Sequence, residues 1–216
     1  MHRALRDEPL NEWVIAMASH VMGFIGDDEE SLVHAERAHQ LDPDSFFAHW
    51  NLMRAKAYSG LHDDAIGMAP RILMVSGRNQ WALGMLAWSY RESGRTAEAR
   101  AVHDELEGRS RHEFVSPFWL SVTADAAGLD DDTARFVRRA RDERDPLVVW
   151  GRTAPLWRSI RQRPVFRSCC RSGIGPELLF LFEDRVDREP GGQKRARHCG
   201  SRRPPGRARS CSCRPS

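Results

Sequence analysis

The chain has 216 residues, 41% of them apolar, and 33 Lys/Arg against 30 Asp/Glu. The bases are unevenly placed: residues 191–216 hold eight and no acid, which leaves residues 1–190 at about −5. That split excludes a uniformly basic nucleic-acid-binding body. No apolar run approaches the ~18 residues of a membrane span. MHRALRDEPLNEW lacks the apolar core of a signal peptide, so the expected location is the cytoplasm.

Residues 1–11 read as a polar extension. Helical spacing then predicts a helix over Trp13–Met22 and a partner over Glu29–Gln40, opened by Asp27 and Asp28 at a capping position and closed by Pro43. A second pair is predicted over Phe46–Ser59 and Asp63–Val75. Pro70 inside its second helix removes a backbone donor and predicts a local bend. The third pair lies within Trp81–Leu106, with apolar stripes at Leu83, Leu86, Ala87 and Tyr90 and at Ala99, Val102 and Leu106. A polar link, EGRSRHE, follows. Ser116-Pro117 reads as an N-cap and first-turn proline opening Phe118–Ala127, and Asp130-Asp131-Asp132 opens a helix to about Glu143. Leu147–Trp150 is an apolar strip, a short helix or an extended cap, Pro155–Arg163 makes one further short helix, and Phe166 is expected to pack beneath it. From about Ser168 the composition shifts. Leu178–Phe182 suffices for a short helix. The Arg/Pro/Gly/Ser/Cys-rich remainder has no apolar period and is expected to be disordered, although an off-frame reading of GC-rich DNA has the same composition.

Gly26, Gly60, Gly94 and Gly128 recur every 34 residues. Five residues after each stands a small residue (Ser31, Ala65, Ala99, Thr133). Seven further on are Ala38, Ile72, Leu106 and Ala140. A glycine free to adopt positive φ makes each turn, and small residues let paired helices approach. A hairpin of this length cannot bury both faces alone, so it requires stacked neighbours.

This period and pattern resemble the tetratricopeptide repeat. Leu52, Gly60, Ala65 and Leu73 carry the resemblance in the second copy, and Leu86, Ala87, Tyr90, Gly94, Ala99 and Leu106 in the third. The first keeps Gly26, Ala38 and Leu41-Asp42-Pro43. The fourth keeps Leu120, Gly128 and Ala140 but departs at Ala124 and Thr133. The resemblance implies an all-α right-handed superhelix of four hairpins at about 12–45, 46–79, 80–113 and 114–146. A cap would follow over 147–167 and a basic tail over 168–216. Pro155-Leu156, Ile160-Arg161 and Pro164-Val165-Phe166 are similar to the closing segment of such arrays in bacterial signalling proteins, where the array follows a cyclase, kinase or winged-helix domain.

In such an array the first helix of each pair lines a concave groove. The expected partner-binding residues are Asn51, Arg54, Tyr58, Trp81, Met85, Trp88, Arg91 and Trp119, with His20 and Trp50 beside them. Trp, Tyr, Met and Arg are enriched at interfaces, and each Trp serves inter-repeat packing equally well. A subclass of these domains clamps a terminal carboxylate. Here only Asn51 matches the clamp, and Ala16, His20, Trp81 and Met85 fill its other places, which argues against that ligand.

No catalytic constellation stands out. Asp130-Asp131-Asp132 is explained by a helix start, Gly173-Ile174-Gly175 lacks a phosphate loop's context, and no histidines have paired spacing. Cys169-Cys170 and Cys211-Ser212-Cys213 are poor metal pairs, so no metal or cofactor is expected. The expectation is a non-enzymatic scaffold for a protein or peptide partner. The alternative is a nucleic-acid-associated protein acting through the salt-sensitive basic tail.

Overall fold

The computed structural model describes residues 2–170. The expected tail beyond Cys170, with its predicted helix at Leu178–Phe182, lies outside them. Four hairpins form the body: α2 (Glu12–Ile25) with α3 (Asp28–Leu41), α4 (Phe46–Tyr58) with α5 (His62–Val75), α6 (Gln80–Glu92) with α7 (Thr96–Arg109), and α8 (Pro117–Ala126) with α9 (Asp130–Asp142). A short α1 (His2–Asp7) precedes them and packs on α2. Each helix packs on the next. The first helices also pack on one another, α2 on α4, α4 on α6 and α6 on α8, so they form an inner layer backed by α3, α5, α7 and α9. The described residues are all-α, a solenoid of stacked helix hairpins.

The repeat signals act as physics requires. Gly26, Gly60, Gly94 and Gly128 all have φ between 73° and 81°, the left-handed region that favours glycine. At each turn the following residue reaches back five positions: Asp27 to Met22, Leu61 to Lys56, Arg95 to Tyr90 and Leu129 to Ala124, with N···O distances of 2.7–3.0 Å. This closure satisfies an otherwise orphaned helix carbonyl. Ser31, Ala65, Ala99 and Thr133 are fully buried at the crossings, as are Ala38, Ile72, Leu106 and Ala140.

Caps set several helix starts. Asn11, Asp27, Ser45 and Asn79 accept from Val14, Glu30, Ala48 and Trp81 backbone N–H groups. Ser116 departs from expectation: its side chain makes no cap bond, and its hydroxyl donates to Asp145 instead. Asp145 also accepts from Phe118 N at 3.2 Å and Leu147 N at 3.0 Å, so one carboxylate secures both α8 and the segment after α9. α5 runs through Pro70 without a break. α7 continues to Arg109, three residues into the expected link. No described helix is long and apolar enough to cross a membrane.

In the closing region the apolar strip is helical, one of the two forms expected for it, and the expected short helix at 155–163 is split in two. Pro146–Arg152 and Pro155–Trp157 are 3-10 helices, followed by α10 (Arg158–Gln162) and α11 (Pro164–Cys170). Phe166 is buried edge-on against Trp157, as expected, but α11 carries ordered helix past position 168. Residues 146–157 form a strap.

Candidate binding groove

The inner layer brings the expected residues together, and buries most of them. Asn51 and Met85 are fully buried, Arg54 and Trp119 are 2% exposed and Trp88 is 7% exposed. Tyr58, Trp81 and Arg91 are half-buried. Asn51, Arg54, Met85, Trp88 and Trp119 are therefore packed inside, for the tryptophans the inter-repeat alternative, while Tyr58, Trp81 and Arg91 keep part of their surface exposed. Asn51 donates to Phe47 O and accepts from Arg54 Nη2 at 3.3 Å. Trp81 tilts against Trp50 at 5.3 Å, and Trp88 meets Tyr58 at 5.7 Å and His62 at 5.2 Å, edge-on. Trp119 covers Gly84, where a Cβ would overlap the indole ring.

The strap packs on the inner layer. It leaves the fourth hairpin and reaches the first: Trp150 packs on His20 at 5.4 Å and Phe24 at 5.1 Å. Trp157 is fully buried, stacked on Phe118 at 4.9 Å and lying over Gly151. Arg161 donates to the Gly151 and Ala154 carbonyls, at 3.0 and 2.8 Å, and holds the strap in its bend. Asp125 holds the segment that follows the strap. Its buried carboxylate accepts from Ser159, Arg91 and Arg163, with Arg163 Nη2 at 2.6 Å. Arg163 also pairs with Asp130 at 2.6 Å.

A small cavity remains between strap and groove floor, lined by His20, Trp50, Arg54, Tyr58, Trp119 and Trp150 among others. It is no larger than one water molecule. Arg54 Nη2 bonds Ser19 O at 3.0 Å, Ser19 Oγ at 3.1 Å and Ser31 Oγ at 3.3 Å. Its Cζ stands 5.9 Å from the Trp50 ring and 5.2 Å from Tyr58. Burial lowers the guanidinium's pKa, against the opposing pull of Tyr58 and Asp28. Burial, and then the Arg54 charge, push His20 down to about 3, so its imidazole is neutral at ordinary pH.

Sequence reasoning missed the strap's contribution (Trp150, Ala154, Leu156) and the Asp125 anchor. A signal for Asp125 was present: it is the one acid in the apolar run VTADAA, 34 residues after Arg91 and so at the same repeat position. Nothing comparable marks Trp150, whose partners lie about 130 positions away. No protein-family model matches the chain, and no curated protein is significantly similar to it.

Proposed function

We propose that this chain is a tetratricopeptide-type interaction scaffold whose inner groove takes a short peptide, and that it works by binding rather than catalysis. One observation carries the reading: a short, mostly 3-10 segment of the chain itself, residues 146–157, lies along the inner layer with its aromatic side chains inserted. A groove that holds this segment in cis suits a partner segment of similar kind, with an aromatic anchor among aliphatic residues. The similarity of the closing residues to bacterial signalling arrays supports a regulatory role, with the strap yielding to a partner.

The test is competition in trans. A labelled peptide of residues 146–157 is titrated into the intact chain and into Asp125→Asn, in which the segment after the strap is held more weakly. Binding at least tenfold tighter to the variant is the expected result. A folded Asp125→Asn protein that ignores the peptide would rule out a groove open to exchange.

A further inference from the structure

Trp13, Phe47 and Trp81 occupy one position in three successive repeats, 34 residues apart, and each is the second residue of its helix. In the fourth repeat the position holds Val115, which is buried. The rings form a continuous row: Trp13 stacks on Phe47 at 6.3 Å, Phe47 on Trp50 at 6.3 Å, and Trp50 tilts against Trp81. Trp50 is buried, Phe47 and Trp81 are half-buried, and Trp13 is 59% exposed. Leu10, three residues before Trp13, is exposed too. Packing between repeats accounts for the inward sides of these rings and leaves their outward sides wet, which is uncommon for a run of large aromatic residues. The strap lies elsewhere. Its Trp150 meets His20 and Phe24, about two and three turns further along α2 than Trp13.

Acids border this edge. Glu12 precedes Trp13 and accepts from Ser45 Oγ at 3.0 Å, which joins the start of α2 to the start of α4. Asp42 and Asp44 are exposed just ahead of Phe46 and Phe47, and Asp44 pairs with Arg71. Residues 7–44 as a whole hold ten Asp/Glu against one Lys/Arg.

We propose that this aromatic edge is a docking surface for a basic, proline-rich peptide in the polyproline II conformation. Two classes of chain lie extended on a row of aromatic rings: single-stranded nucleic acid, through its bases, and proline-rich peptide, through its rings. The acids decide between them, because they repel phosphates and attract Arg or Lys. They disfavour a second copy of the same acidic edge for the same reason. The length also fits. Inner helices packed ~8–10 Å apart separate Trp13 from Trp81 by about 16–20 Å, which about six residues of polyproline II span at ~3.1 Å each. Such a peptide is extended before it binds, so it loses little freedom on docking. Docking here leaves the strap seated and does not rest on the peptide-groove reading.

The experiment titrates the intact, isotope-labelled chain with a peptide of six prolines flanked on each side by two arginines. The indole N–H resonances of Trp13 and Trp81 are expected to shift together, while those of Trp150 and Trp157 stay fixed. Affinity is expected to fall about tenfold when glutamates replace the arginines, and again when alanines replace the prolines. Trp13→Ala removes an exposed side chain and should weaken binding about tenfold. Glu12→Gln, which keeps an acceptor for Ser45, should weaken it less and reduce its salt dependence. Equal binding to Trp13→Ala and the intact chain would overturn the proposal. So would an alanine peptide that binds as tightly as the proline one, or single-stranded thymidylate that binds more tightly than either. A shift at Trp150 in place of Trp13 would overturn it as well, by putting the peptide in the strap's seat, and would leave the groove reading standing.

Discussion

At Gly23 a hydrogen atom makes room for Arg54. A Cβ there would overlap Nη1 and stand 3.1 Å from Cζ and 3.2 Å from Ser31 Oγ. Gly23→Ala gains about 1 kcal/mol of helix propensity, but displacing a buried, hydrogen-bonded guanidinium costs ~1–3 kcal/mol as overpacking. Net destabilisation is expected in urea melts, and an unchanged midpoint would mean that Arg54 moves freely. His20 adds a pH dependence. Its folded pKa of about 3 lies below the ordinary 6.5, so the unfolded chain binds the proton more readily. The neutral ring's contribution is complete above 6.5 and is lost as pH falls toward 3. The slope in that window is about 1.4 kcal/mol per pH unit. His39, His49, His62 and His103 are lowered by burial too and act in the same direction. His20→Gln should flatten the acid limb of the stability–pH curve.

The segment after the strap, residues 158–163, is held chiefly at one point. Asp125 is 2% exposed at its side chain and gathers Arg91, Arg163 and Ser159. Asp125→Asn removes the charge and leaves two guanidiniums, 29% and 24% exposed, without it. Because Arg91 keeps Glu92 and Arg163 keeps Asp130, the loss is that of a charge-assisted hydrogen bond, about 1.5–3 kcal/mol. Hydrogen exchange should rise over residues 146–163 and much less over α4–α7. Equal loss of protection in every hairpin would show that Asp125 supports the whole array rather than the segment after the strap.

For the whole molecule, the strap changes the kind of stability the array has. A bare solenoid is stabilised by contacts between neighbours and can open from either end. Trp150 joins the fourth hairpin's side of the chain to His20 and Phe24 in the first. Trp150→Ala should cost about 2 kcal/mol, less than a fully buried aromatic. It should also separate the melting of α2–α3 from the rest, measured by residue-resolved exchange. A single unaltered transition would show that the hairpins are coupled without the strap.

The periodic part of the fold was legible in the chain alone because its causes are local. Positive-φ turns at Gly26, Gly60, Gly94 and Gly128, small residues at each crossing and apolar stripes at helical spacing each act within one hairpin, and a 34-residue period is visible by eye. The candidate site was legible only in part. Arg54, Trp88 and Trp119 lie on α4, α6 and α8, the first helices of their hairpins, because repeat phase decides that. Burial was one of two readings open for the tryptophans, and it is decided by neighbouring repeats: Tyr58 and His62 cover Trp88, Gly84 and Phe118 meet Trp119, and Ser19, Ser31 and Gly23 enclose Arg54. Ser116 illustrates the same limit at small scale: its position was a local matter, but the carboxylate it bonds, Asp145, comes from 29 residues away. Local geometry is written in spacing. The seat of the strap on the inner layer is decided by tertiary contacts across about 130 residues, where side-chain shape and the geometry of the intervening hairpins determine what Trp150 can reach.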